Sequence, residues 1–389
     1  MIRVGFIFNS INNDWLGGLN YFRNLLYLIL GNSKRKIEPV ILTGCRSDIS
    51  LLIDGLPPIE VIRTSFLDSS NFFSLFRKFH KFFFLKDIFL EKILIKNKIV
   101  VLSHSGYLGA KAKIPTLGWI PDFQHKYLPN FFSKREIKKR NKEFEKICKF
   151  CTLVIVSSYN AQNDLINFSP ECSNKCEVLH FVAPIITCKP IHDPSLDEKF
   201  SFDVPYFYIP NQFWKHKNHK LVIDALKILN SKKRRVLVIA TGKTYDYRDP
   251  GYFINLMKNV QETGLTDLFK VLGVVDYQTV LNLMQKSIAI INPSLFEGWS
   301  TVVEEANFLG KKLLLSDIPV HREQVAHDNI FFNPNNPDEL ANLMWSVWQK
   351  HDEVNLNIDF NKRYNDYEKR RDNFIKKYER LVVNLVAKP

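Results

Sequence analysis

Residues 294–310, SLFEGWSTVVEEANFLG, gather Glu297, Glu304 and Glu305 around a short apolar run, in a chain whose 54 Lys and Arg outnumber its 40 Asp and Glu. Pro293 and Ser294 end a strand-like segment and Gly298 permits a tight turn. Val302, Val303, Ala306 and Leu309 then form a helix face that Gly310 closes. Such a loop delivers a helix N-terminus to the carboxyl end of a strand, where backbone amides and the helix dipole make an anion site. Acids beside an anion site conflict unless the ligand carries a phosphate for the helix end and hydroxyls for the carboxylates, as a nucleotide sugar does. Glu304 and Glu305 also have a plainer explanation, because acids in the first helical turns favour the dipole by up to about 1 kcal/mol.

The elements that must hold this loop read as alternating strand-like and helix-like runs. RVGFIF, LNYFRNLLYLIL, EPVILTG, IVVLSH, PTLGWIP and CTLVIVSS form one series. A second begins after residue 200 with PYFYIPN, HKLVIDALKILNS, RRVLVIATG, FKVLGVV, YQTVLNLMQKS and IAIINPS. That rhythm predicts an α/β fold of two doubly wound, Rossmann-like domains facing a cleft. Residues 1–185 form the first and 205–389 the second, joined by a proline-rich linker over 186–204. Tyr367, Phe374, Tyr378, Leu381 and Leu385 recur at helical intervals, so the chain is expected to end in a long helix that crosses back to the first domain.

With 389 residues and 46 % hydrophobic content, the chain can bury two cores. The net charge of +14 points to an anionic partner: nucleic acid, a membrane surface or a phosphorylated substrate. The competing explanation is solvated surface lysine. The amino-terminal run reads as a buried strand and no apolar run reaches a membrane span, so the expected location is cytoplasmic. Cys148-x2-Cys151 and Cys172-x3-Cys176 have a spacing worth testing against zinc. Cys148 and Cys151 fall instead on apolar positions facing a core, and no metal site is expected. Residues 65–99 interleave Phe with Lys and Arg. They read as one or two amphipathic helices suited to an anionic bilayer, on the inner face of the cytoplasmic membrane, or as a buried pair with solvated lysines.

Glu297, seven intervening residues and Glu305, after Pro293-Ser294 and Phe296, resemble the E-x7-E signature of the retaining glycosyltransferases of family 4, which have the GT-B fold. GVVDYQTVLNLMQKSIAIINPS is similar to that family's base-binding loop and the helix after it, and YIPNQFWKHKNHKLVIDAL to the opening of its donor domain. WLGGLNYFRNLL resembles its first glycine loop, and WIPDFQHKYLPNFFSKREIKKRN its acceptor-domain loop. The resemblance implies that residues 1–185 bind the acceptor and 205–389 the donor, with no cofactor beyond a GDP- or UDP-linked sugar. It assigns Glu305 to the ribose hydroxyls, Glu297 to a hydroxyl of the transferred sugar and Lys217 to the diphosphate, where positive charge helps the nucleotide leave. Glu304 is then left as a surface acid. Gly17 and Gly18 would let the first loop approach the diphosphate. Val274 marks the base contact, and Ser300, Thr301 and Val302 the phosphate contacts beside Gly298. Gln212 stands where arginine is usual, so a second cation would come from Lys215 or Arg23. Pro121 replaces the usual histidine beside Asp122, leaving Asp122, His125 or His104 to orient the sugar or acceptor.

The expected activity is transfer of a hexose such as mannose to a hydroxyl of a lipid-linked or surface glycan, for instance O-antigen or lipopolysaccharide. The alternatives are another sugar-nucleotide reaction on the same architecture, epimerase or phosphorylase, and a non-enzymatic nucleic-acid- or membrane-binding protein. No recognised nucleic-acid motif is present, and E-x7-E has no role in such a module, so no nucleic-acid partner is expected.

Overall fold

The computed structural model describes residues 1–8, 16–68, 72–84, 86–183, 204–325, 329–350 and 360–387. Its described strands form two parallel sheets. The first holds β1 (Ile2–Ile7), β2 (Ile37–Thr43), β3 (Glu60–Arg63), β4 (Val101–Ser103), β5 (Thr116–Trp119), β6 (Leu153–Val156) and β7 (Cys176–Val178), in the order β3-β2-β1-β4-β5-β6-β7. The second holds β8 (Tyr206–Ile209), β9 (Leu237–Ala240), β10 (Phe269–Val271), β11 (Ala289–Asn292), β12 (Leu313–Ser316) and β13 (Ile330–Phe332), in the order β10-β9-β8-β11-β12-β13. Helices cover the faces, so strands such as LVIA in β9 and AIIN in β11 are buried at every residue and read as unbroken apolar runs rather than alternating ones.

In both sheets the strand order reverses once, between β1 and β4 and between β8 and β11. Loops leaving the carboxyl ends of the two strands at such a point diverge, which opens room for a ligand. In the second sheet, β11 pairs with β8 through Ala289 opposite Phe207 and Ile290 opposite Tyr208. Loops that start about 80 residues apart in the chain therefore leave from adjacent strands. These are the WKHK and SLFEGWS segments.

The chain divides into two compact units, Met1–Phe123 with Ser133–Pro184 and Lys369–Pro389, and Gln124–Phe132 with Ile185–Glu368. The expected split at 185 and 205 therefore needs correction in two places. Residues 124–132 group with the second unit because Gln124 and Phe132 engage Arg248, and Phe131 lies under Lys215. The terminal helix Phe360–Ala387 serves both units. In the second, Tyr367 packs edge-on against Phe308 and Arg363 donates to the Asn307 carbonyl. In the first, Tyr378 Oη donates to Ser103 Oγ at 2.8 Å, and Lys36 N donates to Glu379. All five periodic residues of this helix, Tyr367, Phe374, Tyr378, Leu381 and Leu385, are buried. Apart from Val204, the expected linker 186–204 lies outside the described residues.

Cys148, Cys151, Cys172 and Cys176 sit together in the core of the first unit with Ile120, Phe123 and Val154. Burial pushes the Cys151 and Cys176 thiols up to about 12, so they behave as small apolar side chains. No metal-binding group of three or more His, Cys, Asp or Glu occurs among the described residues. Cys188 lies outside them.

Candidate functional site

The site residues of the second unit come from the two loops at its sheet's reversal point. After β8, Lys215–Lys217 form one tight turn, ended by Asn218 with a left-handed φ of 57°. The Asn218 amide donates to the Pro334 carbonyl and holds that conformation. After β11, Leu295 N donates to the His216 carbonyl at 2.8 Å, which ties the two loops by their backbones. Next to this tie, Lys217 Nζ donates to Glu297 Oε1 at 2.6 Å, and Ser294 Oγ donates to the same oxygen at 2.7 Å. The two charged side chains are 18 % and 9 % exposed. So well buried a pair gains from weak water screening, and losing one partner would strand the other charge.

Gly298 and Trp299 form the bend that leads into helix Thr301–Leu309. Ser300 caps it, its Oγ accepting from Val303 N, and Gly310 closes it at a left-handed φ of 69°. Two further clamps fix the cap. Asn292 Nδ2 donates to Ser300 Oγ, and the Gln324 amide both accepts from Ser300 N and donates to the Ser300 carbonyl. Thr301 and Val302 supply the intervening first-turn amides, the position from which a helix end attracts a phosphate.

The two acids of this helix are both buried. The expectation that Glu304 is a surface acid is therefore wrong: it is 2 % exposed and accepts from Gln324 Nε2 at 3.0 Å. Helix Thr301–Leu309 presents a buried rather than a solvated face here, because helix Pro319–Gln324 packs over it. Glu305 accepts from Tyr277 Oη at 3.0 Å. Burial, and less strongly the Glu304 charge, push its carboxyl up to about 7 against the opposing hydrogen bond from Tyr277. A carboxylate in this setting gains most from a ligand that donates two hydroxyls to it.

Arg248, which sequence reasoning missed, is a buried cation of this unit. Asp246 fixes its guanidinium at 3.1 and 3.3 Å, it donates to Gln124 at 3.2 Å, and it lies over the Trp214 ring at 4.8 Å. Its Nη2 also faces His216 Nδ1 at 3.3 Å. Burial, together with Lys217 and Arg248, holds His216 far below the usual histidine value and so neutral. Lys215, one of the two expected second cations, is half-exposed and donates to Asp249. Nothing local marks Arg248 in the sequence, since its partners lie 2, 32 and 124 residues away.

Of the remaining expected residues, Gln212 lies in the loop after β8, where its carbonyl accepts from Trp214 N. Gly242, with a φ of +136°, lets the loop after β9 pass so close that a Cβ would sit 2.6 Å from the Asn211 carbonyl oxygen. Val274 is 72 % exposed and follows Gly273, whose carbonyl accepts from Gly242 N. His125 is buried in the short helix Gln124–Tyr127, and Tyr127 of that helix packs against Phe296 at 5.1 Å. Asp122, Gly17, Gly18, His104 and Arg23 belong to the first unit. Gly17 and Gly18 lie within the first turn of helix Leu16–Gly31 rather than in a loop, and residues 9–15 before it are outside the described residues. Asp122 meets Arg140 at 3.5 Å, and Arg23 donates to the Asp54 carbonyl.

Against known proteins, residues 197–370 match the family described as glycosyl transferases group 1. The O-antigen chain mannosyltransferase RfbU of Salmonella typhimurium is 26 % identical over 167 residues, which span 43 % of this chain and 43 % of that protein. The matched part thus covers under half of the curated relative. Among solved structures, HepE of Anabaena, in complex with UDP and glucose, matches with a TM-score of 0.70 and 17 % identity over 100 % of both chains. A glycosyltransferase from Rickettsia africae matches with a TM-score of 0.69 and 15 % identity, covering 100 % of this chain and 99 % of that one. The fold is thus GT-B, as expected: two Rossmann-like domains, each on a parallel sheet. The matched segment takes in the Lys217–Glu297 pair, the capped helix and Glu305.

Proposed function

We propose that the chain is a retaining glycosyltransferase that moves a hexosyl group from a nucleotide sugar to a hydroxyl of a lipid-linked or surface glycan. The observation that carries this reading is the buried Lys217–Glu297 pair at the start of a capped helix whose next carboxylate, Glu305, is buried beside Tyr277. The group 1 match and the O-antigen mannosyltransferase relative support it. The second unit binds the donor and the first the acceptor. Glu305 accepts from the ribose hydroxyls and Glu297 from a hydroxyl of the sugar, with the base near Val274. Lys217 and the amides of Thr301 and Val302 take up the diphosphate charge. Gly17 and Gly18 flank the approach to the diphosphate, Gln212 borders it, and Asp122 and His125 orient sugar or acceptor.

In this scheme the bond from the sugar's anomeric carbon to the diphosphate oxygen breaks, with its electron pair going to that oxygen. The acceptor oxygen attacks from the same face and its proton passes to the departing phosphate, so no covalent enzyme intermediate and no metal is invoked. Stabilising the departing charge is where such a site lowers the barrier most. A thermal-shift screen with UDP, GDP, ADP and their common sugars tests the reading. The right nucleotide at a hundred times its dissociation constant should add about 2.7 kcal/mol of stability. No shift with any of them would refute it, and turnover of the donor to an epimer without acceptor would replace transfer by epimerisation.

A further inference from the structure

The most unusual surface among the described residues is helix Phe72–Phe84, in the first unit. It carries seven exposed apolar side chains, Phe72, Phe73, Leu75, Phe76, Phe79, Phe83 and Phe84, with Phe72 75 % and Phe79 63 % exposed. Ser74, Arg77 and Lys81 lie on the other face, while His80 is half-buried and stacks on the Phe84 ring at 4.2 Å. Ser74 is buried, Arg77 makes a two-toothed hydrogen bond to Asp87 at 2.8 and 3.0 Å, and Lys81 donates to the Tyr107 carbonyl at 2.8 Å and sits over that ring. The Asp87 side chain is fully buried and also caps helix Ile88–Lys96. An ion pair thus fixes the inner face of the helix and leaves the phenylalanines outside, the reverse of an ordinary surface helix.

We infer that helix Phe72–Phe84 is a bilayer-inserting element whose phenylalanines enter the apolar edge of a membrane leaflet. At 100° per residue, the exposed apolar positions cover roughly half of the helix circumference. A partner helix seats in a stripe of about 100°, whereas a helix lying in a bilayer surface is wetted by lipid over half its girth. The 13 residues rise only about 20 Å, too short to span, so the helix lies in the plane of the interface. The segment contains no acidic residue that lipid phosphates would repel. Arg77 and Lys81 are engaged by Asp87 and Tyr107, so the groups this helix offers to the leaflet are its exposed aromatic rings. Such insertion is independent of the proposed reaction.

The test is flotation of the full chain with vesicles of pure phosphatidylcholine and of phosphatidylcholine with phosphatidylglycerol, at about 0.1 and 0.5 M salt. The natural protein should float with both, losing less than about threefold at high salt. The double variant Phe76→Ser with Phe79→Ser should lose tenfold or more, while its thermal shift with donor nucleotide stays unchanged. A Phe79→Trp variant should show an emission blue shift on adding vesicles. Absence of flotation, binding confined to anionic vesicles at low salt, or flotation unaffected by the serine pair would overturn the inference. So would a chain dimer that the serine pair dissociates, since the ridge would then serve a second copy.

Discussion

The two sheets are wound in the same order, and at the reversal point of each a backbone amide ties neighbouring segments together, yet the chemistry gathered there differs. In the first, Ile7 N donates to Ser105 Oγ at 2.7 Å, and the residue beside it, His104, carries a left-handed φ of 56°. His104 contacts neutral groups: Tyr21 Oη at 2.8 Å, Ser103 Oγ at 2.7 Å and the rings of Phe22, Trp119 and Tyr378. Burial holds it down to about 3, so it stays uncharged at any physiological pH. In the second, Leu295 N donates to the His216 carbonyl, and the strained residue is Asn218 beside Lys217. Charged side chains stand beside it: Lys217, Glu297 and Arg248. The winding supplies a place for a ligand in each unit, and the residues placed there decide whether that place can stabilise developing charge. His104, one of the expected sugar-orienting residues, is built into an aromatic core.

If this contrast is functional, the largest effect should come from Lys217. With Lys217 in its proposed place at the leaving diphosphate, Lys217→Ala should lower transfer by about 10²- to 10³-fold at saturating donor. It should also lower stability by about 3 kcal/mol or more, because Glu297 is left buried without its partner. Pairing it with Glu297→Gln separates the two losses: melting should recover and turnover should not. Near-normal turnover in the single variant would end the charge-stabilisation reading.

Much of this contrast can be read from the sequence, and the unreadable part has identifiable causes. Strands β8, β9 and β11 stand out because burial on both faces makes them continuous apolar runs. Helix Thr301–Leu309 is bounded by its cap Ser300 and by Gly310, both local signals. The error at Glu304 arose because an acid in a first helical turn has the same local pattern whether water or Gln324 receives it. Arg248 and Gln324 are invisible for the same reason: their roles depend on partners brought near only by the fold. For helix Phe72–Phe84 periodicity reveals two faces but not which one turns inward, and the buried Asp87 settles that.

Glu305 offers a second, smaller test with two readouts of opposite sign. Its carboxyl lies above the ordinary value of 4.5, at about 7, so the folded state holds the proton more tightly than the unfolded chain does. Stability linked to this group is therefore fully present below about pH 4.5 and is lost as pH rises through about 7. Glu305→Gln should remove that loss and raise stability at pH 8 by roughly 3 kcal/mol. With Glu305 as the proposed acceptor of the ribose hydroxyls, the same substitution should weaken donor nucleotide binding by about ten- to a hundredfold. Melting scans across pH 5–8, and nucleotide titration at pH 8, read the two effects. A variant that is more stable yet binds donor as well as the natural protein would keep the electrostatic account and remove the ribose assignment.

The smallest effect belongs to the uncharged reversal point. Tyr378→Phe deletes the hydroxyl that donates to Ser103 Oγ, next to His104, and leaves the aromatic packing in place. The lost buried hydrogen bond is worth about 1 kcal/mol, a melting shift of a few degrees or less in a chain of this size. Donor binding and its pH dependence should not move, since no charge is created or exposed and the residue packs within the first unit. A change in turnover beyond about twofold would mean that the His104 cluster takes part in the reaction rather than only holding the first sheet.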